Sequence, residues 1–412
     1  MKKGFLSDYF DGVAVKRLTD VEADPAVSNQ HEFGTTRAMR EFLGAEYRKF
    51  DTTYVWFGGE QEGVPDYGSA TMYDSRANQP HRAAEWRVYY DSNSVTALME
   101  PGDTLFIAKR SRANALLIII ARQGCTIEHQ LLWLFGIDSQ PTFEFQAKPF
   151  ENSNDAEIDF TARFILDELG IEFEDPNANT LDEIIKPFGL NWPKTAPFSK
   201  LARQTLPEVD AVANPDLALM AWLDHEEAMF RRLERKIVGK RLEAGFMENG
   251  EADVDGFIKF SLGVQNRRKS RMGHSFENQL AALFEANGLL FSRQAVTELG
   301  NKPDFLFPGQ AAYSDPDFPE NLLTMLAAKS VCKERWRQIL PEAARVKQKY
   351  LVTIETGISE AQTSQMQANG VQLVVPVSLH GSYTVLQRTW LLPVGEFLKT
   401  AAAKQAQLPR QK

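Results

Sequence analysis

Four residues in the second half of the chain carry side chains suited to hydrolytic chemistry. They are Asp304 in NKPDFLFPG, Lys329 in LAAKSVCKERWRQIL, Glu342 thirteen residues further on, and Glu277 near the start of a predicted helix. KPDFLFP and LTMLAAKS read as neighbouring strands, which bring Asp304 and Lys329 to one end of a sheet. There a carboxylate can hold a hard divalent cation, and an ammonium can stabilise or deliver a water nucleophile beside a phosphate. Glu342, on or just after the first turns of a helix expected from Glu334, offers the same cation a second carboxylate. Glu277 is a fourth candidate. A structural reading stands beside this one: Pro-Asp pairs start turns, strand-end lysines are solvated, and helix glutamates lie on surfaces.

Charge around these residues is uneven. From Lys329 to Lys349 seven basic residues stand against two acidic ones, Glu334 and Glu342. NRRKSR at 266–271 adds Arg267, Arg268, Lys269 and Arg271, read as a basic loop that suits phosphate-backbone contacts or is simply solvated. KERWR at 333–337 is the most informative piece. Lys333 and Arg335 can donate to guanine edges and Glu334 can accept from the cytosine amino group. An intrahelical ion pair beside a core Trp336 is the alternative.

The elements that must position these groups follow from pattern. The chain has 412 residues, 43% of them hydrophobic and 11% aromatic, enough for two cores. A net charge of -9 excludes a surface coated with positive charge but not a local basic groove. Cys125 and Cys332 cannot form a disulfide framework and fit a reducing cytoplasm, and the most apolar run, ALLIIIA at 115–121, is too short to span a bilayer. The expectation is a soluble intracellular protein.

YVWFG, EWRVYY, TLFIAK and ALLIIIA read as short strands, so residues 1–172 are expected to form a mostly β, barrel-like domain. Residues 173–198, rich in proline, acid and amide, read as a linker. Residues 199–412 are expected to form an α/β domain, a mixed sheet flanked by helices. Its first helix ends at Gly245 and its second runs from an N-cap at Ser275 to Gly288. Beyond Glu334's helix come YLVTIE (strand), SEAQTSQMQANG (helix) and VQLVVP (strand), then a frayed tail from Ala401.

NRRKSRMGHSFENQLAALF, NKPDFLFPG, LAAKSVCKERWRQIL and VQLVVPVSLH occur in order over about 215–385, and on them the C-terminal half resembles the EcoRII-like branch of type II restriction endonucleases, with a variant PD-(D/E)xK core. The resemblance implies a Mg²⁺-dependent enzyme hydrolysing phosphodiester bonds of double-stranded DNA at a short palindrome containing CC and GG. It implies a homodimer and a cognate DNA methyltransferase as functional partner. Asp304 and Glu342 then hold the metal, Lys329 and the helix residue Glu277 complete the catalytic set, and Lys333, Glu334 and Arg335 read the bases. Phe230 supplies the aromatic of a pocket for a flipped central base, but Glu226 stands where the family has an arginine.

In the N-terminal half, VKRLTD near 15–20 and the NQHEF stretch resemble the DNA-binding pseudobarrel joined to the EcoRII enzyme. His31, Arg76, His81, Arg82, Glu85 and Arg87 offer the donors and acceptors that base reading needs, or else form a solvated strand edge. The runner-up function is a DNA-binding regulator whose nuclease core survives only as a scaffold.

Overall fold

Six of the seven residues of ALLIIIA are buried, on both faces of the strand, and this fixes it at the centre of a sheet. In the computed structural model, which describes residues 4–23, 31–59, 62–79, 81–137, 140–150, 158–171 and 178–408, the chain divides into two compact units, Met1–Pro176 and Asn177–Lys412.

The first unit carries eight strands: β1 (Phe10–Arg17), β2 (Glu32–Gly34), β3 (Arg48–Phe57), β4 (Pro65–Asp74), β5 (Trp86–Tyr90), β6 (Thr104–Arg110), β7 (Ala115–Ala121) and β8 (Gln146–Pro149). They form one sheet in the order β2-β5-β4-β3-β7-β6-β1-β8, antiparallel except for β3 against β7. Side chains alternate between two cores. Leu117 and Ile119 of β7 join Val13, Val55 and Phe106 under helices α3 (Thr126–Phe135) and α4 (Phe160–Glu168). Leu116, Ile118 and Ile120 join Tyr54, Met72, Val88 and Tyr90 on the other face.

The sheet curls strongly. Phe33 on edge strand β2 meets Phe145, which precedes the opposite edge β8, edge to face at 6.3 Å. After the short α1 (Asp20–Ala23), α2 (Arg37–Leu43) sends Met39, Phe42 and Leu43 into this second core. The Phe42 ring crosses β1 at Gly12, where a Cβ would stand 2.6 Å from it, so only glycine fits. The barrel-like expectation thus becomes a large curled sheet with helices, joined edge to edge by side chains. The cations of VKRLTD are structural: Lys16 pairs with Glu22 at 2.5 Å and buried Arg17 with Glu128 at 2.6 Å.

The second unit opens with α5 (Ala178–Ile185) and α6 (Thr195–Gln204), followed by the long helices α7 (Pro215–Ala244) and α8 (Val254–Ala286), which flank a small hairpin, β9 (Met247–Glu248) and β10 (Glu251–Ala252). The linker expected over 173–198 is corrected here. Residues 172–177 lie outside the described residues, but Leu181, Ile185 and Phe198 are buried against Met229, Phe230 and Leu233 of α7. An amphipathic helix outweighs the local proline and amide content.

The basic loop at 266–271 is corrected too. It lies within α8, which starts at the Asp253 cap, whose side chain accepts from Gly256 N at 2.8 Å, rather than at Ser275. Arginine and lysine are good helix formers, and nothing in NRRKSR stops the helix.

A five-stranded mixed sheet completes the unit: β11 (Ser292–Arg293), β12 (Phe305–Phe307), β13 (Thr324–Lys329), β14 (Lys349–Thr353) and β15 (Val371–Val374), in that order. β12 runs antiparallel to both β11 and β13, and β13, β14 and β15 run parallel. Helices α9 (Gln310–Ser314), α10 (Glu360–Ala368), α11 (Val385–Arg388) and α12 (Val394–Gln405) surround it. Phe284 of α8 meets Phe305, Phe307 and Phe397 at 5.0, 5.2 and 6.2 Å, locking α8 and α12 onto the sheet. The tail expected to fray from Ala401 is helical to Gln405, with Ala401 buried.

The helix expected from Glu334 is a 3-10 segment, Lys333–Ile339. Pro341 lacks an N–H, and Ala343 sits in the left-handed region at φ 48°, so the chain cannot continue as a helix through Glu342.

Candidate active site

β12 and β13 run antiparallel with Phe305 opposite Leu326, so the start of one and the end of the other share an edge. This places Asp304 beside Lys329, with Lys329 Nζ 2.8 Å from Asp304 Oδ2. The same oxygen accepts from Ala328 N at 2.8 Å, and Oδ1 accepts from Gln294 Nε2 at 3.1 Å. Asp304 is 8% exposed. Three donors therefore hold a nearly buried carboxylate in one orientation.

Glu342 reaches this centre from the turn after the 3-10 segment. Burial pushes its carboxyl up; Asp304 adds to the rise, while Lys329 and Lys349 oppose it. Its Oε2 is buried with no hydrogen-bond partner. Lys349, buried at the start of β14, donates to the Glu342 and Ala343 carbonyls at 2.5 and 2.7 Å and fixes the turn that presents Glu342. Burial lowers the Lys349 ammonium.

Glu277 stands outside this cluster. It pairs with Arg293 at 3.1 Å, and Arg293 lies in register with Phe305, the residue after Asp304. Gln294, Arg293 and Lys349 are additions that motif spacing does not single out. For Arg293 and Gln294 the one signal in the sequence is their place just before NKPDFLFPG.

Asp304 and Glu342 fit a hard divalent cation in one respect: a buried carboxylate oxygen without a partner beside a second carboxylate is the donor chemistry such an ion takes. Among the described residues no group of three or more His, Cys, Asp or Glu is placed to hold a metal. The remaining ligands would be water and substrate oxygens, as is usual for Mg²⁺.

The side chains of Lys333 and Glu334 lie outside the described residues; Arg335 is exposed. The segment is pegged on either side of Arg335. Cys332 is buried and its N–H donates to Glu355 at 2.5 Å, and Trp336 is 1% exposed.

The four NRRKSR cations separate. Arg267 and Lys269 are exposed, and the Arg267 guanidinium lies 4.7 Å from the centre of the Trp192 ring. Arg268 is tied to buried Glu234 at 2.5 Å. Arg271 is buried between Glu226 and Glu227, and burial lowers its guanidinium to about 10. Arg268 and Arg271 are thus corrected from backbone contacts to structural ion pairs.

Phe230 is corrected as well. It is 2% exposed, with the Arg271 guanidinium 4.1 Å from its ring centre and Trp192 at 5.6 Å. Glu226, 0% exposed, is held by Ser199 at 3.0 Å and Gln279 at 2.6 Å. The space expected for a central base is filled by side chains.

In the first unit, Arg76 pairs with Glu85, and Arg87 with both Glu32 and Glu85, the last at 2.7 Å. These contacts hold the Glu85 carboxyl below its usual range, the Arg87 hydrogen bond contributing most. Arg82 donates to Gln79 at 3.0 Å, and His31 Nε2 lies 3.4 Å from Ser92 Oγ. His81 is exposed. Three of the expected base readers are therefore engaged with one another.

No helix among the described residues is long and apolar enough to cross a membrane. Residues 230–398 match the family model described as EcoRII C terminal. The type II restriction enzyme EcoRII of Escherichia coli is 46% identical over 164 residues, 40% of this chain and 41% of that protein, so the match spans under half of either. Among solved structures, metal-depleted Ecl18kI in complex with uncleaved DNA gives a TM-score of 0.45 at 17% identity, covering 57% of this chain and 86% of that one. A PspGI–substrate DNA complex gives 0.43 at 14% identity, covering 52% and 94%. Glu277, Asp304, Lys329 and Glu342 all fall inside the stretch, residues 230–398, that is similar to the EcoRII C-terminal family.

Proposed function

We propose that the chain is a type II site-specific endonuclease that hydrolyses phosphodiester bonds of double-stranded DNA with Mg²⁺. The observation that carries this reading is the oriented pair Asp304–Lys329 with the partnerless Glu342 oxygen beside it, inside the stretch matched to the EcoRII C-terminal family.

Asp304 and Glu342 would hold the cation, which when bound makes water more acidic and offsets charge on the phosphate. Gln294 and Ala328 N–H fix the Asp304 carboxylate. Lys329 presents its ammonium at the same point, where it can orient a water or stabilise a phosphate oxygen. Lys349 clamps the turn that delivers Glu342. Hydrolysis leaves a 5′-phosphate.

The proposed site is a short palindrome containing CC and GG, CCNGG- or CCWGG-like, read by Lys333, Glu334 and Arg335, with Arg267 and Lys269 on the phosphate backbone. The filled space at Phe230 favours central bases that stay stacked. The enzyme would act as a homodimer, matching a two-fold site. An exposed apolar stripe supports this: Leu242, Met247, Val254, Phe257, Ile258 and Leu262 are each between 47% and 65% exposed. The first unit would act as a DNA-binding pseudobarrel, and the enzyme would work in the cytoplasm beside a cognate methyltransferase.

Digesting a mixed-sequence plasmid with Mg²⁺ tests the reading. Discrete bands with shared terminal sequences are expected. A protein that binds DNA without cutting under these conditions is a regulator, and the reading fails.

A further inference from the structure

The first unit carries a concavity of about 730 Å³ walled by Tyr47, Thr71, Tyr73, Asp74, Trp86 and Tyr89. Register explains the wall. Across β4 and β5, Thr71 stands opposite Tyr89 and Tyr73 opposite Arg87, and on the other flank Thr71 stands opposite Lys49 of β3. These side chains share one face, while the alternating Met72 and Val88 fill the core on the other. Core formation accounts for the inner set. It does not account for the outer rings, since Tyr47 is 73% and Tyr89 43% exposed.

The polar groups around the rings have a pattern. The Tyr73 hydroxyl donates to Glu32, which pushes it up to about 12 and fixes the ring in its neutral form. Asp74 Oδ1 accepts from the Arg76 and Glu85 N–H groups at 2.9 and 2.8 Å, so this oxygen closes the turn. Lys49, cross-strand from Thr71, and Arg82, in the connection between β4 and β5, are both exposed. Aromatic walls with an exposed lysine beside them, and with the lining acid Asp74 engaged through Oδ1 by backbone N–H groups, suit a flat, uncharged heteroaromatic ring attached to an anionic chain. A base inside an intact duplex offers only its edge and cannot enter such a space.

We infer that this concavity is a stacking site for an unpaired DNA base. It deepens the DNA-binding reading of the first unit and rests on it. Ring faces would hold the base with little regard to its identity, and Lys49 and Arg82 would meet the flanking phosphates.

The test uses the full chain without divalent metal, so that nothing is cut, and reads fluorescence anisotropy on three labelled probes. These are an oligothymidylate of about 12 nucleotides, a mixed-sequence duplex of the same length, and that duplex carrying one bulged thymine. The oligothymidylate, the bulged duplex or both should bind more tightly than the intact duplex, and which of them does so identifies the source of the base. The double variant Tyr47→Ala, Tyr89→Ala should lose about tenfold or more on the preferred probe and nothing on the intact duplex. Tyr47→Phe with Tyr89→Phe should keep the affinity, which separates stacking from misfolding.

Equal losses on all three probes, or no loss on any, overturn the site. If the intact duplex binds while neither unpaired probe binds better, the stacking site fails while DNA binding by the chain as a whole stands. If no probe binds, both fail.

Discussion

Gln294 donates its side-chain amide to Asp304 Oδ1 while Lys329 and Ala328 occupy Oδ2, so the carboxylate is oriented from both sides. Asp304→Ala should reduce Mg²⁺-dependent cleavage to below about 1% of the parent rate, with specific DNA binding retained. Gln294→Ala, which removes the donor to Asp304 Oδ1, should cost about 10–100-fold, typical of residues that orient a metal ligand. Single-turnover cleavage with binding measured alongside checks both. Wild-type cutting by Asp304→Ala would discard the site.

Burial raises the Glu342 carboxyl, so its ionised form is favoured only above the ordinary carboxylate range. Cleavage should therefore rise with pH on a limb displaced upward from that range. More Mg²⁺ should move the limb to lower pH, because cation and proton compete for one group. The sign for stability is opposite. A raised acid stabilises the fold when protonated, and that contribution is lost as pH rises through the folded pKa. Glu342→Gln should accordingly melt higher than the parent near neutrality, the gap closing below pH of about 4, and it should lose the limb. Paired melting and rate profiles decide this.

Arg271 and Lys269 lie two residues apart on α8 yet should behave differently. Arg271→Ala leaves Glu226 buried without the cation that pairs with it, while Glu227 keeps Arg231 at 2.6 Å, and should cost about 3–5 kcal/mol in urea unfolding. Lys269→Ala should leave stability unchanged and lower the slope of log K against log salt by about 0.9, because one phosphate goes unneutralised. A salt slope altered by Arg271→Met, in a protein still folded, would show that its charge does reach DNA.

A fragment beginning at residue 178 should fold, whereas one beginning at 199 should not hold its structure. The shorter piece lacks Leu181, Ile185 and Phe198 of the helical core, at about 2–5 kcal/mol for each large apolar side chain. Trp192, whose ring lies 5.6 Å from that of Phe230, is lost with them. Cooperative urea transitions of the two fragments, followed by circular dichroism, give the answer.

Phe257→Glu combined with Ile258→Glu should convert a dimer to monomer, because charge on the exposed stripe of α8 opposes self-association. Sedimentation equilibrium reads the mass. A parent that is already monomeric would remove the proposed interface.

The strands and helices of the second unit are largely legible in the sequence because each follows its own local signal. Gly245 ends α7, Ser359 caps α10, and β13, β14 and β15 are short apolar runs. Asp304 and Lys329 are legible as neighbours because antiparallel strands must place them so. The helix expected after Lys329 does not form because Pro341 and Ala343 act from its far end, and the loop expected at 266–271 is helical because charge does not entail irregular, exposed chain. Burial of Arg271 depends on Glu226 and Glu227, 45 and 44 residues away, which no local window contains. The curl of the first unit rests on contacts such as Phe33 with Phe145, and these too are invisible to periodicity.

Cys332 and Trp336 are buried on either side of Arg335, and Lys329 lies only three residues before Cys332. In the proposed enzyme, the group that meets a base and the group that meets the broken bond are marks on one short ruler pinned to the protein interior. A change of target base at Arg335 can then leave the cut offset untouched. Shifting the offset itself would require re-anchoring Cys332 or Trp336, so a library varied only at 333–335 should yield new sequences cut at the old distance.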